Sequence, residues 1–170
     1  AIAQGFLTAG IDSVFSSDGV RNVYISLGKK FHLAKLNPGN GEEEVLSRIG
    51  YRERFFSEKP FNPKEVKRLM EKMLKYYENN GYPFATINLD SIKINHDSVT
   101  ASLKVNKREL IRVDSMEIVG TSSIKRSYLY NYTGIKSGSI YNENLIKQID
   151  KRINQLPFAK TTKPVQIYFT

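Results

Sequence analysis

Few side chains in this sequence have the chemistry that catalysis or metal binding requires. His32 and His96 are the only histidines, and the absence of cysteine excludes disulfides, thiolate metal sites and cysteine nucleophiles. Neither histidine has an acidic residue at the spacing of a metal site or a catalytic triad. His32 falls in a predicted strand and His96 in a predicted turn, so both are expected to be surface or packing residues.

The remaining polar residues also predict no reaction centre. Four aspartates lie near predicted strands and turns, at Asp12, Asp90, Asp97 and Asp114. Carboxylates at such positions commonly stabilise turns. The sequence contains neither a glycine-rich phosphate loop nor a nucleophile elbow. We therefore expect no catalytic residue, no cofactor and no metal ligand.

Charge is the compositional feature that suggests a partner. The formal net charge of +9 and the pI near 9.6 allow contact with nucleic acid, anionic lipid or an acidic protein. The cations are spread along the chain without an arginine-rich block, which is typical of a solvated basic surface. No two glycines have the Gly-x-x-Gly spacing of a KH module, and residues 99–105 lack the aromatic pattern of an RRM. These absences argue against the two common RNA-binding modules, but the positive charge keeps a basic nucleic-acid-binding module as an alternative.

A tyrosine cluster offers a second feature typical of nucleic-acid readers. Tyr128, Tyr130 and Tyr132 follow one another at every second position of a predicted helix. Residues two apart on a helix do not share a face, so these rings are not expected to form a stacking ladder.

The clearest element of the chain is a helix predicted within residues 61–82. Asn62 is a favourable N-cap, Pro63 suits the first helical position, and Glu65 stands where a capping box has its acid. One face is apolar, through Val66, Leu69, Met70, Met73, Leu74 and Tyr77, and lysines lie elsewhere. The residues that follow it, 79–81, are Asn-Asn-Gly, which favours helix termination.

The same pattern returns 80 positions later, so the chain contains an internal repeat. The matching pairs are Phe61 and Tyr141, Asn62 and Asn142, Val66 and Ile146, Leu69 and Ile149, and Met73 and Ile153. Going back 76 positions from Gly81 gives Gly5, so we expect the chain to begin near the end of the equivalent helix of an earlier copy.

The strand and helix patterns predict a β-α-α-β-β order for the middle copy. The middle copy has a strand over residues 31–37, a short acidic helix over 42–49, a loop over 51–60, the long helix, and a hairpin over 85–105. A hairpin with an Asp-Gly turn precedes it within residues 7–27. The last copy predicts a strand over 111–118, a turn over 120–123, a helix over 124–132, a long helix from 142 and a strand over 164–170.

The motifs at these boundaries resemble the POTRA (polypeptide-transport-associated) family, whose domains stand in tandem before the barrel of BamA- and TamA-like assembly factors. They are the strand and glycine turn MEIVG at 116–120, the loop GSIYN at 138–142, and the helix exits GYPFA at 81–85 and LPFA at 156–159. The resemblance implies an α+β fold of tandem β-α-α-β-β domains, each with a three-stranded mixed sheet packed against two helices. It implies three domains: the C-terminal part of one over 1–28, a complete one over 29–108, and one without its last strand over 109–170.

The middle copy departs from the family pattern at two places. Its loop between the helices is longer and charged, and residues 58–61 replace the usual Gly-x-x-Tyr. At the junction before the last copy, residues 106–109 replace a glycine that the first copy keeps as Gly28. The predicted inter-domain hinge comprises Gly28, Lys30, Asn106 and Arg108.

The resemblance implies a periplasmic, non-catalytic arm of an outer-membrane protein. Its expected partners are unfolded outer-membrane or secreted polypeptides, other assembly-complex subunits and a C-terminal membrane β-barrel of the same parent chain; nucleic acid is not among them. An extended client can add to an open sheet edge as a further strand. The family's strand order places that edge at Ala85, Ile87, Leu89, Ile92 and Ile94, and in the last copy at Val165, Ile167 and Phe169. A POTRA-like scaffold of a two-partner secretion or division complex is a further alternative.

Overall fold

The computed structural model describes residues 4–120 and 123–169. The chain divides into two compact units, one of Ala1–Leu74 with Thr86–Asn106 and the other of Lys75–Ala85 with Lys107–Thr170. The division falls inside the helix predicted within residues 61–82, so the last turn of that helix belongs to the second unit. The three-domain organisation predicted from the repeat stays a prediction.

The first unit opens with the predicted hairpin. Strand β1 (Gly10–Ser17) pairs antiparallel with β2 (Val20–Ser26). Asp18 and Gly19 both have positive φ, 51° and 76°, as a type I′ turn requires and as the Asp-Gly pair predicts. The apolar side chains of this hairpin are largely exposed on both of its faces.

A mixed sheet forms the centre of the first unit. Its strands are β3 (His32–Asn37), β4 (Ser57–Pro60), β5 (Thr86–Asn95) and β6 (Ser98–Asn106). They lie in the order β4-β3-β6-β5, with β6 parallel to β3 and antiparallel to β5. The parallel neighbour is possible because two helices connect β3 to the later hairpin. The predicted α+β fold with a mixed sheet and two helices is confirmed.

Two helices of the first unit each bury an apolar side in its core. Helix α1 spans Glu43–Arg48, and α2 spans Pro63–Asn79. Asn62 caps α2 as predicted, since its Oδ1 accepts a hydrogen bond from the Lys64 amide at 3.1 Å. The buried core comprises Phe31, Leu33, Leu36, Val45, Leu46, Phe56, Val66, Leu69, Met73, Val99, Ala101, Leu103 and Val105. The apolar residues predicted from the helix and strand periodicities therefore belong to one core.

The loop predicted over residues 51–60 is wrong in its second half. Glu53–Phe56 forms a 3-10 turn, and β4 follows directly and pairs antiparallel with β3, which adds a fourth strand to the three expected. An ion pair of 2.8 Å between Lys35 and Glu53 ties the 3-10 turn to β3. A segment of four residues that includes a proline shows little strand periodicity in its sequence. It forms a strand because the edge of β3 is open to pairing.

The loop after β3 is locked onto the end of β6. The Asn40 side chain donates to the Val105 carbonyl at 2.8 Å and accepts from the Val105 amide at 2.7 Å. This side chain therefore continues the backbone ladder where β6 has no strand neighbour on that side. Gly39 has φ +59°, and a Cβ placed there would lie 1.7 Å from the Leu103 carbonyl oxygen.

The second unit contains three short helices, α3 (Arg126–Thr133), α4 (Glu143–Lys147) and α5 (Ile149–Ile153). The predicted long helix is interrupted at Gln148, whose amide donates to Leu145 three residues back and so tightens the turn. The strands predicted over 111–118 and 164–170 do not form in the described residues; one isolated bridge joins Arg112 to Ile140. The backbone-to-backbone bonds of residues 111–118 end at Val113, which donates to Ser139 and accepts from Gly138, and the rest of the two predicted strands has no strand partner among the described residues. Thr121 and Ser122 of the predicted turn and Thr170 lie outside the described residues.

We predict that Gly39→Ala destabilises the first unit by more than about 2 kcal/mol, because a left-handed φ and a backbone clash act together. Gly50→Ala is the matched control. Gly50 has φ +77°, and a Cβ added there would meet no atom within 4 Å, so only the left-handed strain of about 1 kcal/mol applies. Urea unfolding followed by circular dichroism measures both; equal losses would contradict the proposed packing of Gly39 on β6.

Candidate functional site

The outer side of β5 is the open edge of the mixed sheet. In the described part of the chain β5 pairs with β6 and with no other strand. Its register places Ile87 opposite Val105 and Leu89 opposite Leu103. Directly opposed residues point to the same side of a sheet, so Ile87 and Leu89 lie on the core side. The unpaired amides and carbonyls of this edge can accept another strand.

The far half of β5 exposes two isoleucines. Ile94 lies opposite Val99 and yet has 62% of its surface exposed, and Ile92 is 56% exposed. Side chains of this kind beside unpaired backbone are what an added strand would cover. The four predicted side chains of β5 are therefore brought together along one edge.

A bulge divides this edge. The pairing with β6 shifts between Asp90 and Lys93, and Ser91 between them has φ 51°. Asp90 supports the bulge because its carboxylate accepts from the Ser91 amide at 2.8 Å and lies 3.6 Å from Lys104. Bulges bend a strand and increase its twist. The edge accordingly offers two short pairing segments.

The opposite edge of the sheet is β4, which has features that discourage pairing. It is four residues long, ends in Pro60 and includes Lys59, which is held by Glu65 at 3.0 Å. Short edge strands with charge and proline are common devices against strand addition. The bulge and Lys93 of β5 are devices of the same kind, so β5 differs from β4 by its ten-residue length and its exposed isoleucines.

The other residues predicted for client binding lie outside strands. Ala85 is buried in the turn before β5, where its amide donates to the Tyr82 carbonyl at 3.2 Å. Val165, Ile167 and Phe169 are 37–45% exposed and unpaired by any strand in the described residues. The Val165 amide donates instead to the Asp150 carboxylate at 3.2 Å. A client-binding role for these residues stays a prediction.

Two of the four predicted hinge residues, Gly28 and Arg108, share a left-handed backbone conformation. Gly28 has φ +65°, and Arg108, which stands 80 positions later, has φ +59°. Asn106 ends β6, and Lys30 lies beside Gly5. The left-handed turn is thus retained at Arg108 although the glycine is replaced. Whether these residues allow bending stays a prediction.

The structure brings His32 close to Asp97, a pair that sequence spacing did not indicate. Their Nδ1 and Oδ2 atoms are 3.7 Å apart, both side chains are about half exposed, and the His32 amide donates to the Asp97 carbonyl at 2.7 Å. The two residues are 65 positions apart in sequence, and the parallel pairing of β3 with β6 brings them together. An exposed pair of this kind contributes little stability.

Other groupings in the described residues carry no chemistry of their own. Residues 4–120 and 123–169 contain no cluster of three His, Asp or Glu that could hold a metal ion, and none of their helices has the length and apolar character to cross a membrane. Tyr128 and Tyr132 stack with an interplanar angle of 7°, whereas the Tyr130 hydroxyl accepts from the Met116 amide. The three tyrosines do not form one ladder, as predicted.

A backbone motif that we call the glycine clasp occurs twice, once in each unit. In the first unit the Phe31 amide donates to Gly5 and the Phe61 amide donates to Phe31, at 2.7 and 3.0 Å. In the second, the corresponding bonds from Ile111 to Gly81 and from Tyr141 to Ile111 are 2.8 and 3.0 Å. Both glycines have φ +96°. The spacings of 76 and 80 residues in the repeat were the sequence signal for this motif.

Asparagines close the second clasp from the side. The Asn142 amide group donates to the carbonyl of Asn79, the last residue of α2, at 2.8 Å, while its oxygen accepts from Leu145 at 3.0 Å. One side chain therefore caps the end of α2 and the beginning of α4. The Asn144 amide adds a bond of 2.8 Å to the Asn79 side chain.

Tyr141 of the clasp is also held through its hydroxyl. It donates a short hydrogen bond to Glu143, which in turn pairs with Lys147 at 2.9 Å. Burial and this carboxylate raise the pKa of Tyr141. Burial alone would raise the pKa of Glu143, but the bonds from Tyr141 and Lys147 outweigh it and lower that pKa. The hydrogen bond from Tyr141 to Glu143 is therefore strongest at pH values where Glu143 is charged and Tyr141 is still protonated.

The fold places the chain among tandem α+β repeat proteins that combine a mixed sheet with two helices. The model of the POTRA family, described as surface antigen variable number repeat, matches residues 20–109. The chain belongs to the POTRA family, which confirms the resemblance of its motifs.

Solved structures with the same fold include two BamA proteins. The crystal structure of Haemophilus influenzae BamA POTRA domains 3–5 has a TM-score of 0.61 at 18% identity, covering 91% of this chain and 64% of that one. BamA from Haemophilus ducreyi lacking POTRA domains 1–3 has a TM-score of 0.53 at 15% identity, covering 74% and 23%. This chain thus spans less than two thirds of either structure. No curated protein sequence matches it.

We predict that Gly81→Ala breaks the second clasp, because an added Cβ would lie 2.4 Å from Leu110 Cδ1 and 2.7 Å from Ile140 Cγ2. The expected result is a loss of about 2 kcal/mol or more and faster exchange of the Ile111 amide hydrogen, read by NMR. Gly134→Ala is the control, since Gly134 has φ +76° and only an ordinary contact of 3.9 Å. Unchanged Ile111 exchange in Gly81→Ala would contradict the clasp.

Tyr141→Phe should raise the pKa of Glu143, because the hydrogen bond that favours its charged form is lost. Because the folded pKa of Glu143 is lowered, its charged form contributes stability in full above the unfolded value of about 4.3, and this contribution should be lost as pH falls from there through the folded value. Carboxyl NMR titration of Glu143 gives the pKa directly. A pKa unchanged by the substitution would show that Lys147 alone sets it.

Proposed function

We propose that the chain is part of a non-catalytic periplasmic arm of an outer-membrane assembly or translocation protein. In this proposal unfolded outer-membrane polypeptides add to β5 as a further strand and then pass to a membrane β-barrel of the same parent chain. The observation that carries the proposal is the unpaired outer side of β5, with Ile92 and Ile94 exposed beside it.

Backbone pairing suits a site that accepts many sequences. The hydrogen bonds of an added strand use main-chain groups that every client has, and specificity enters only through alternate side chains. Strands of outer-membrane barrels alternate apolar and polar residues over about ten positions. The exposed isoleucines of β5 can cover one apolar side of such a strand.

Membership of the POTRA family and the BamA-like fold support a role in protein assembly rather than catalysis. The partners proposed beyond the client are other subunits of the assembly complex and the barrel itself. The short, charged β4 supports confining the client to one edge of this sheet.

The proposal is tested by proline at two consecutive positions, Ile87→Pro and Asn88→Pro. Adjacent residues of a strand direct their amides to opposite edges, so one of these prolines removes an amide bonded to β6 and the other an outward amide. The outward variant should keep the stability within about 1 kcal/mol. It should bind a client peptide about tenfold more weakly, because the ring blocks pairing.

The probe is a synthetic peptide of about ten residues with alternating valine and threonine, measured by titration calorimetry. A peptide of the same composition without alternation serves as the control ligand. Thermal unfolding of both variants identifies which proline is outward. Undiminished binding by that variant would remove strand addition at β5 from consideration.

A further inference from the structure

The solvent face of α2 carries a continuous row of cations. Exposed residues at helical spacing form it, and we call them the basic stripe: Lys64, Lys67, Arg68, Lys72 and Lys75, with Glu71 as the one acid among them. Successive cations are one, three or four residues apart, and Lys64, Arg68 and Lys72 are four apart, so all of them fall on one side of the helix. At 1.5 Å per residue the stripe is about 16 Å long.

Most of this charge is uncompensated. Lys67 lies 3.6 Å from Glu71, and both side chains are more than half exposed. Lys64, Arg68 and Lys72 have no carboxylate within 4.0 Å in the described residues. These three cations stand four residues apart, an arrangement that destabilises a helix. A ligand of opposite charge would relieve that repulsion.

The chemistry of the stripe favours an extended anionic surface over a shaped ligand. Four of its five cations are lysines, which act as point charges without the fixed geometry of arginine. The stripe contains no aromatic side chain to stack on a base and no amide side chain to read one. A second copy of this chain is an unfavourable partner, because the whole chain carries a net charge of +9.

We propose that the basic stripe on α2 is a docking surface for an anionic lipid bilayer. The apolar side of α2 is committed to the core, through Val66, Leu69 and Met73, so contact is with the headgroups and no insertion is involved. Clusters of four to eight lysines and arginines on an amphipathic helix are typical of such binding. The inference does not depend on strand addition at β5.

The test measures the partition of the full 170-residue chain onto vesicles by sedimentation. The vesicles contain phosphatidylglycerol and phosphatidylcholine, with pure phosphatidylcholine vesicles for comparison. Lys64→Gln/Arg68→Gln/Lys72→Gln should lower the partition coefficient onto the anionic vesicles roughly 100-fold. Glutamine keeps the helix propensity, so the fold is preserved. Binding of the wild type should also fall steeply as salt is raised.

Two further variants keep the test independent of folding and of total charge. Lys151→Gln/Lys160→Gln/Lys163→Gln removes the same charge from exposed lysines elsewhere, and it should change the partition less than about threefold. Glu71→Gln removes the one acid of the stripe, and it should strengthen binding about fivefold. A gain of this kind cannot come from misfolding.

Binding that requires phosphatidylglycerol, is lost in the stripe variant and rises in Glu71→Gln would support the proposal. Equal losses in the two triple variants would overturn it, because total charge would then explain the binding. Absence of binding to anionic vesicles at low salt would also overturn it. So would tighter binding of a short nucleic-acid duplex that the same stripe variant abolishes.

Discussion

The pairing of β6 with both β3 and β5 is the constraint on which the first unit depends. A parallel neighbour on one side requires a long crossover, and the two helices between β3 and β5 provide it. The buried side chains of β6 then form the centre of the core, from Val99 to Val105. The same strand order places β5 at the edge of the sheet. The pairing of β6 therefore determines both the core and the candidate binding edge.

The second unit depends on a different interaction, the glycine clasp. No sheet forms in its described residues, so the backbone groups near Ile111 are satisfied by Gly81 and Tyr141 instead of by strands. A side chain at Gly81 would occupy the space of Leu110 and Ile140. Glycine is therefore required twice, for the positive φ and for the close approach. Recurrence of the clasp at Gly5 shows that the repeat extends to individual hydrogen bonds.

The two proposed surfaces use different physics and need not compete. The β5 edge offers backbone groups and apolar side chains, whose attraction for a client varies little with salt. The basic stripe on α2 offers charge on long side chains, and its attraction for a bilayer is screened by salt. Salt concentration therefore separates the two surfaces experimentally.

The sequence by itself determined the elements whose causes are local. These are the period and cap of α2 and the Asp-Gly turn of the first hairpin, which follow from neighbouring residues. The POTRA fold was predicted from the resemblance of the motifs at 116–120, 138–142, 81–85 and 156–159 to that family. Tertiary structure decided what depends on partners distant in sequence. Examples are the pairing of β4 with β3, the approach of His32 to Asp97 and, within the described residues, the lack of a strand partner for residues 164–169. A strand is defined by its neighbour's hydrogen bonds, which no local pattern contains, whereas a helix satisfies its own.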